Sequence, residues 1–188
     1  MRKIILKTAL ITLSAMLAAF FIFAAVISFA FPVVAGKACS DIGLHSASAK
    51  YYVRAYRNTG EYTYIADVLK EATLADDNAL ISEYGYKFIT SPKFSDYCAA
   101  RGDDGDFTTA DYYACITVQS TYYVGEKATA AQIAFDFTEV YSRKCPLWIA
   151  IITALDNSDK DFAGIIKTLY DKSDIKTEDI KLLDELSQ

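Results

Sequence analysis

The chain is 188 residues long and carries a formal net charge of -5, with 53% hydrophobic and 14% aromatic residues. Nucleic-acid binding is not expected, because such surfaces need a surplus of lysine and arginine and this chain has a deficit. Beyond the apolar N-terminal run about 150 residues remain, enough for one domain with a real core and too few for two comfortable ones.

That run, residues 8–36, holds no charged residue and is bracketed by Lys7 and Lys37. At about 1.5 Å per residue, roughly 20 helical residues cross the hydrocarbon core, so the run is long enough to span a membrane with some tilt. Arg2, Lys3 and Lys7 precede it with no acidic residue among them. Basic flanks stay inside during insertion, which places residues 1–7 in the cytoplasm, makes residues 8–36 a transmembrane signal-anchor in contact with lipid, and puts the rest outside. Two alternatives share the stretch. Val33, Val34 and Ala35 before Gly36 make a passable cleavage site, giving a secreted protein, although a signal peptide's apolar region is usually only about 7–15 residues. Cys39 offers a site for lipid attachment, which Lys37 fits poorly. Ala15 with Ala19, and Ala24 with Ser28, repeat small residues at a spacing that lets helices approach closely, the one feature pointing to a homo-oligomer. Pro32 ends or kinks the helix.

Residues 37–45 read as a connector, with Gly36 and Gly43 as breakers, and residues 46–188 as an exported α-helical domain. Ser46 is the expected cap of a helix striped by Ala49, Tyr52, Val53, Ala55 and Tyr56 that stops at Thr59-Gly60. Ile65, Val68, Leu69 and Ala72 mark the next, closed by Asp76-Asp77-Asn78, which also caps its successor. Leu80, Ile81, Tyr84 and Phe88 give a further apolar face, and Ser91-Pro92 opens a short helix carrying Phe94, Tyr97 and Cys98. After an acidic loop, Thr108 with Asp111 forms a capping box for a helix reaching about Tyr123, broken by Gly125. The β-branched and aromatic run 116–124 also suits a strand. Residues 128–141 present Ile133, Phe137 and Val140 on one face, and Cys145-Pro146 starts the next helix. Its apolar stretch, with Trp148, Ile149, Ile151 and Ile152, is about ten residues long and suits a buried core helix better than a span. Ser158 and Thr177 are the expected caps of the last two helices, faced by Phe162, Ile165, Ile166 and Leu169, then Ile180, Leu183 and Leu186. The fold class is therefore all-α: one transmembrane helix, then about six to eight short helices arranged as stacked hairpins.

Within residues 45–79, Tyr56, Gly60, Leu69 and Ala72 sit at the spacing of a helix-A aromatic, a turn glycine, and a large apolar residue and alanine of helix B. Here the chain resembles a tetratricopeptide-like repeat, a pair of antiparallel helices about 34 residues long. Ala49, Val53, Ile65 and Asp77 depart from the family's tryptophan, glycine, alanine and proline. The resemblance covers about one repeat, implies a solenoid-like hairpin with a groove for a peptide, helix or partner protein, and brings no catalytic residue with it.

All four cysteines, Cys39, Cys98, Cys115 and Cys145, follow the anchor. An oxidising space permits two disulfides in three possible pairings. Cys98 with Cys115, and Cys39 with Cys145, is the expectation. No C-x-x-C motif points to a redox or zinc site. Asp103, Asp104, Asp106 and Asp111 could offer oxygen ligands to calcium, but with Gly105 at the sixth position of an EF-hand loop, Ala100 and Gly102 occupy ligand positions. No metal and no cofactor are expected. The tripeptide Arg101-Gly102-Asp103 is too short to count.

Tyrosine is the compositional oddity: all 14 lie after the anchor, with Tyr51-Tyr52, Tyr112-Tyr113 and Tyr122-Tyr123 adjacent. Neighbours on a helix point about 100° apart, so at most one of each pair lies deep and the other sits at a rim; ordinary packing at the wet edge of a core is the expectation, and a surface that recognises peptides or sugars the alternative. His45 is the only histidine and lacks a nucleophile motif beside it. Four glutamates, Glu61, Glu83, Glu126 and Glu139, could still supply a carboxylate pair. These features point to a non-catalytic, membrane-anchored adaptor or envelope assembly component that binds a protein or peptide. An envelope hydrolase and an extracytoplasmic ligand or peptide sensor are the alternatives.

Overall fold

The structure, a computed structural model, describes residues 2–101 and 108–187. Regular structure among them is entirely helical: α1 (Arg2–Ala30), α2 (Pro32–Asp41), α3 (His45–Thr59), α4 (Thr63–Leu74), α5 (Asn78–Ile89), α6 (Phe94–Ala99), α7 (Thr109–Tyr123), α8 (Lys127–Tyr141), α9 (Cys145–Asp156), α10 (Lys160–Lys172) and a closing 3-10 segment (Asp179–Ser187). The run 116–124 is thus not a strand. It ends α7, where Val118 faces the core and Thr117 and Thr121 are buried against neighbouring helices.

The apolar N-terminal run is divided. Lys7–Ala30, 24 residues, is long and apolar enough to cross a membrane, and none of its most apolar window is buried. That is compatible with a single-pass anchor or with a signal sequence. Pro32 occupies the first turn of α2, where its missing N–H costs nothing, and Pro32, Ala35 and Gly36 are buried against the domain. Residues 32–41 therefore belong to the folded domain, although the sequence places them partly in the anchor and partly in a connector. Gly36 makes this possible: a β-carbon there would lie 3.3 Å from the Tyr52 ring. The Ser48 hydroxyl donates to the Gly36 carbonyl at 2.9 Å.

Along α3, Ser48 meets Gly36 and Arg54 meets Ser28, so α3 runs antiparallel to α2, back toward the base of α1. The Arg54 guanidinium donates to the Ser28 carbonyl at 3.3 Å and stands 4.9 Å from the centre of the Phe29 ring. Ala24, Ile27 and Ser28 are partly covered, which uses the Ala24/Ser28 small pair within the chain itself.

From α2 to α5 each helix packs on the next, α5 continues onto α7 with α6 beside it, and α7, α8 and α9 pack on one another. α10 rests on α8 and α9, and the 3-10 segment closes over α9 and α10. Gly60 ends α3 in the left-handed region at φ 67°, a conformation glycine adopts without strain. Asp77 caps α5 by accepting the Leu80 N–H, and Thr108 with Asp111 forms the expected capping box. Two expected caps are displaced. Ser46 lies inside α3, which begins at His45, and Asp159 rather than Ser158 caps α10 by accepting the Phe162 N–H at 3.0 Å. The helix opened by Ser91-Pro92 begins at Phe94, with Lys93 as its first flanking residue.

An aromatic cluster joins the two halves of the domain. The Phe88 ring stacks on Tyr62 at 4.6 Å and meets Tyr113, Tyr97 and Phe94 edge-on at 4.8, 4.9 and 5.3 Å, while Phe94 reaches Phe137 and Tyr141. Edge-on contacts are favoured because the positive ring edge meets the negative face. The tyrosine surplus thus serves mainly the edges of the core. The Tyr62 hydroxyl donates to the Phe88 carbonyl, Tyr97 and Tyr113 hydroxyls pair at 3.3 Å, and the Tyr84 hydroxyl accepts from Arg57.

Candidate binding groove

α5 and α8 both lie against α7, and a groove runs between them. One end, about 430 Å³, is lined by Ser82, Glu83, Tyr86, Lys87, Glu126 and Ile133 among others. The other, about 260 Å³, is lined by Tyr86, Ile89, Ile133, Phe137, Val140 and Tyr141 among others. Tyr86 and Ile133 are common to both, so the two depressions are continuous. Gly85 sets the floor: a β-carbon there would lie 2.1 Å from Thr117 Oγ1, so only glycine lets α5 settle this closely on α7.

The second end is the apolar one. Val140, last of the stripe Ile133, Phe137, Val140, is 72% exposed whereas the first two are buried, and Tyr86 is 49% exposed. Charge marks the rim, where Lys87 pairs with Glu83 at 2.7 Å at one end and Asp136 lines the other. An apolar floor with a polar rim suits the apolar face of an amphipathic helix.

The tyrosine pairs are spread over α3 and the two ends of α7 rather than gathered on one surface. In two of them one ring goes in and one stays out: Tyr113 joins the aromatic cluster while Tyr112 is exposed, and Tyr122 tilts over Phe162 while Tyr123 is exposed. Tyr51 and Tyr52 are both half-buried, Tyr52 against Gly36. Of the four glutamates, the structure brings Glu83 and Glu126 to the same end of the groove and leaves Glu61 and Glu139 elsewhere on the surface. Glu83 is ion-paired and both are exposed, whereas a carboxylic acid acting in glycoside hydrolysis is kept protonated by an apolar enclosure.

His45 has a partner that sequence spacing did not reveal. Its Nδ1 lies 2.9 Å from Oε2 of Glu71, whose Oε1 accepts the Ser40 hydroxyl at 2.8 Å. Burial alone would push the Glu71 carboxyl up, but the His45 and Ser40 hydrogen bonds outweigh it and hold it below the ordinary glutamate value. The carboxylate stands between serine and histidine, so the imidazole cannot take the serine proton, and the trio joins α2, α3 and α4 instead of activating a nucleophile.

Two further carboxylates tie helices together. Asp111, 1% exposed, accepts Arg143 Nε at 2.7 Å in addition to its capping bonds. Asp159 accepts the Tyr122 hydroxyl at 2.9 Å and pairs with Lys127 at 2.6 Å. Burial raises both carboxyls, and the hydrogen bonds, led by Arg143 and Lys127 respectively, more than reverse it. The Tyr122 phenol is pushed up to about 12 by burial and by the Asp159 carboxylate.

No cysteine pair among the described residues stands at bonding distance. Neither expected pairing, Cys98 with Cys115 or Cys39 with Cys145, is formed; Cys115 faces Cys145 instead, with the sulfurs 3.3 Å apart. Asp103, Asp104 and Asp106 of the calcium candidate, with Gly102 and Gly105, lie outside the described residues, and Asp111 is engaged by its cap and Arg143. No group of three or more potential metal ligands occurs among the described residues.

No family model, curated protein or solved structure matches this chain.

Proposed function

We propose that this chain is a single-pass, N-in membrane protein whose helical domain is a non-catalytic adaptor, holding a partner protein against the outer face of the membrane. The observation that carries the reading is the junction between α1 and the domain. α1 exposes an apolar rod, while its last turns are gripped by Arg54 and the following helix α2 is packed into the core. Cleavage at the Ala35–Gly36 bond would remove the first turn of α2, including the buried Pro32 and Ala35, from the domain it packs against. This supports an anchor that stays attached over a signal sequence that is removed. The basic start of the chain supports its orientation.

Binding is assigned to the groove between α5 and α8, with an amphipathic helix of an envelope protein as occupant. Its exposed Val140 and Tyr86 offer an apolar seat that nothing within the chain covers among the described residues. The α3–α4 hairpin supports the tetratricopeptide-like reading: Leu69 and Ala72 are fully buried and Gly60 makes the turn.

The test is intact-mass analysis of the protein recovered from the membrane fraction after alkaline washing. Retention of residues 1–35 on the washed membrane is the expected result. A species beginning at Gly36, released to the soluble fraction, would end the anchor reading.

A further inference from the structure

We propose that Cys115 and Cys145 form a disulfide that staples α7 to the first turn of α9. The two sulfurs are 3.3 Å apart across directly packed helices, so closure to the S–S bond length of about 2.05 Å asks for a movement within reach of side-chain rotation. A second contact ties α7 to the loop that leads into α9. Asp111, one helical turn before Cys115, is bound by Arg143, two residues before Cys145. The ion pair thus fixes the strand of chain that delivers Cys145 to its partner.

The chemistry is an exchange with a disulfide-bearing oxidant of the extracytoplasmic space. The Cys145 thiolate, on the more exposed sulfur, attacks the oxidant's disulfide, forming a mixed disulfide and releasing one oxidant thiolate. The Cys115 thiolate then attacks Cys145 Sγ and displaces the second. Two protons leave the cysteines, and the two electrons reduce the oxidant to its dithiol. Burial pushes the Cys115 thiol far up, and Cys145 less so. A thiol of high pKa is a poor leaving group, so the finished bond resists reduction, as a structural staple does. The inference rests on the exported reading only for where the oxidant is met.

Trypsin places each of the four cysteines in a separate peptide, since Lys37, Lys50, Lys93, Arg101, Lys127, Lys144 and Lys160 are cleavage points. The full chain in detergent is reduced, then treated with oxidised glutathione, alkylated and digested. The expected product is one cross-link between peptides 102–127 and 145–160, with an unfolding midpoint about 10 °C above that of the reduced protein. Cys145→Ala should abolish both, and Arg143→Ala should slow cross-linking several-fold while leaving the pairing unchanged. A link through Cys39 or Cys98, or no link at all, would overturn the proposal. Because oxidation is done in the tube, either outcome stands apart from whether the anchor places the domain outside the cell.

Discussion

Gly85 and Gly164 are both helical glycines, and their surroundings give opposite expectations for alanine. At Gly164 nothing lies within 4 Å of an added β-carbon, so Gly164→Ala should stabilise by about 0.5–1 kcal/mol through helix propensity alone. At Gly85 the same gain is opposed by a methyl group forced onto Thr117, an overpacking cost of about 1–3 kcal/mol. The clash wins, and Gly85→Ala should lower stability by about 1–2 kcal/mol in urea unfolding, with partial recovery on adding Thr117→Ala. Equal stabilisation by both alanines would show that α5 and α7 are farther apart than described. At this scale the sequence is a poor guide. Glycine inside an apolar stripe signals close approach without naming the partner, and no spacing rule links Glu71 to His45 or Asp111 to Arg143, which are far apart in the chain.

Local signals placed the elements well where they are made of local physics. Caps at Asp77 and Thr108, the Gly60 stop and the stripe of α4 act within a turn or two, and each sits where the sequence implied. The failures occur where packing overrides composition. Residues 32–36 are uncharged like the N-terminal run before them, yet a proline turn and the Gly36–Tyr52 contact draw them into the domain. Three carboxylates, Glu71 of α4, Asp111 of α7 and Asp159 at the cap of α10, then clip neighbouring elements together, and all three are held below their ordinary values. A depressed native value means that the stabilisation is complete above the unfolded-state value of about 4 and is lost as pH falls through the native one. The domain should therefore lose stability progressively below about pH 4, with a flatter acid limb in Asp159→Asn. Stability that stays level down to pH 2 would contradict the three clips.

For the whole molecule, the fold class was legible because helical periodicity repeats along the chain, but the groove was not. It depends on α5 and α8 sharing α7 as a floor, a relation between helices separated by some 40 residues (residues 89 and 127 at their nearest). Only Val140 hinted at it, as the last member of an apolar stripe left outside the core. The tyrosine pairs on α7 follow the one-deep, one-outside geometry that helical neighbours impose: Tyr113 and Tyr122 pack inward while Tyr112 and Tyr123 stay exposed. In the proposed reading, the domain is tethered by α1 and its apolar seat holds a partner close to the bilayer, where confinement raises its effective concentration. The measurement that tests this most directly is photo-crosslinking in intact cells, with the reactive side chain placed at Val140 in the groove and, as a control, at the exposed Lys181 outside it. A single recurrent protein adduct from position 140, absent from position 181 and lost when Tyr86→Glu is added, is the expected result. No adduct from position 140, or the same adducts from both positions, would contradict the groove as the seat of binding.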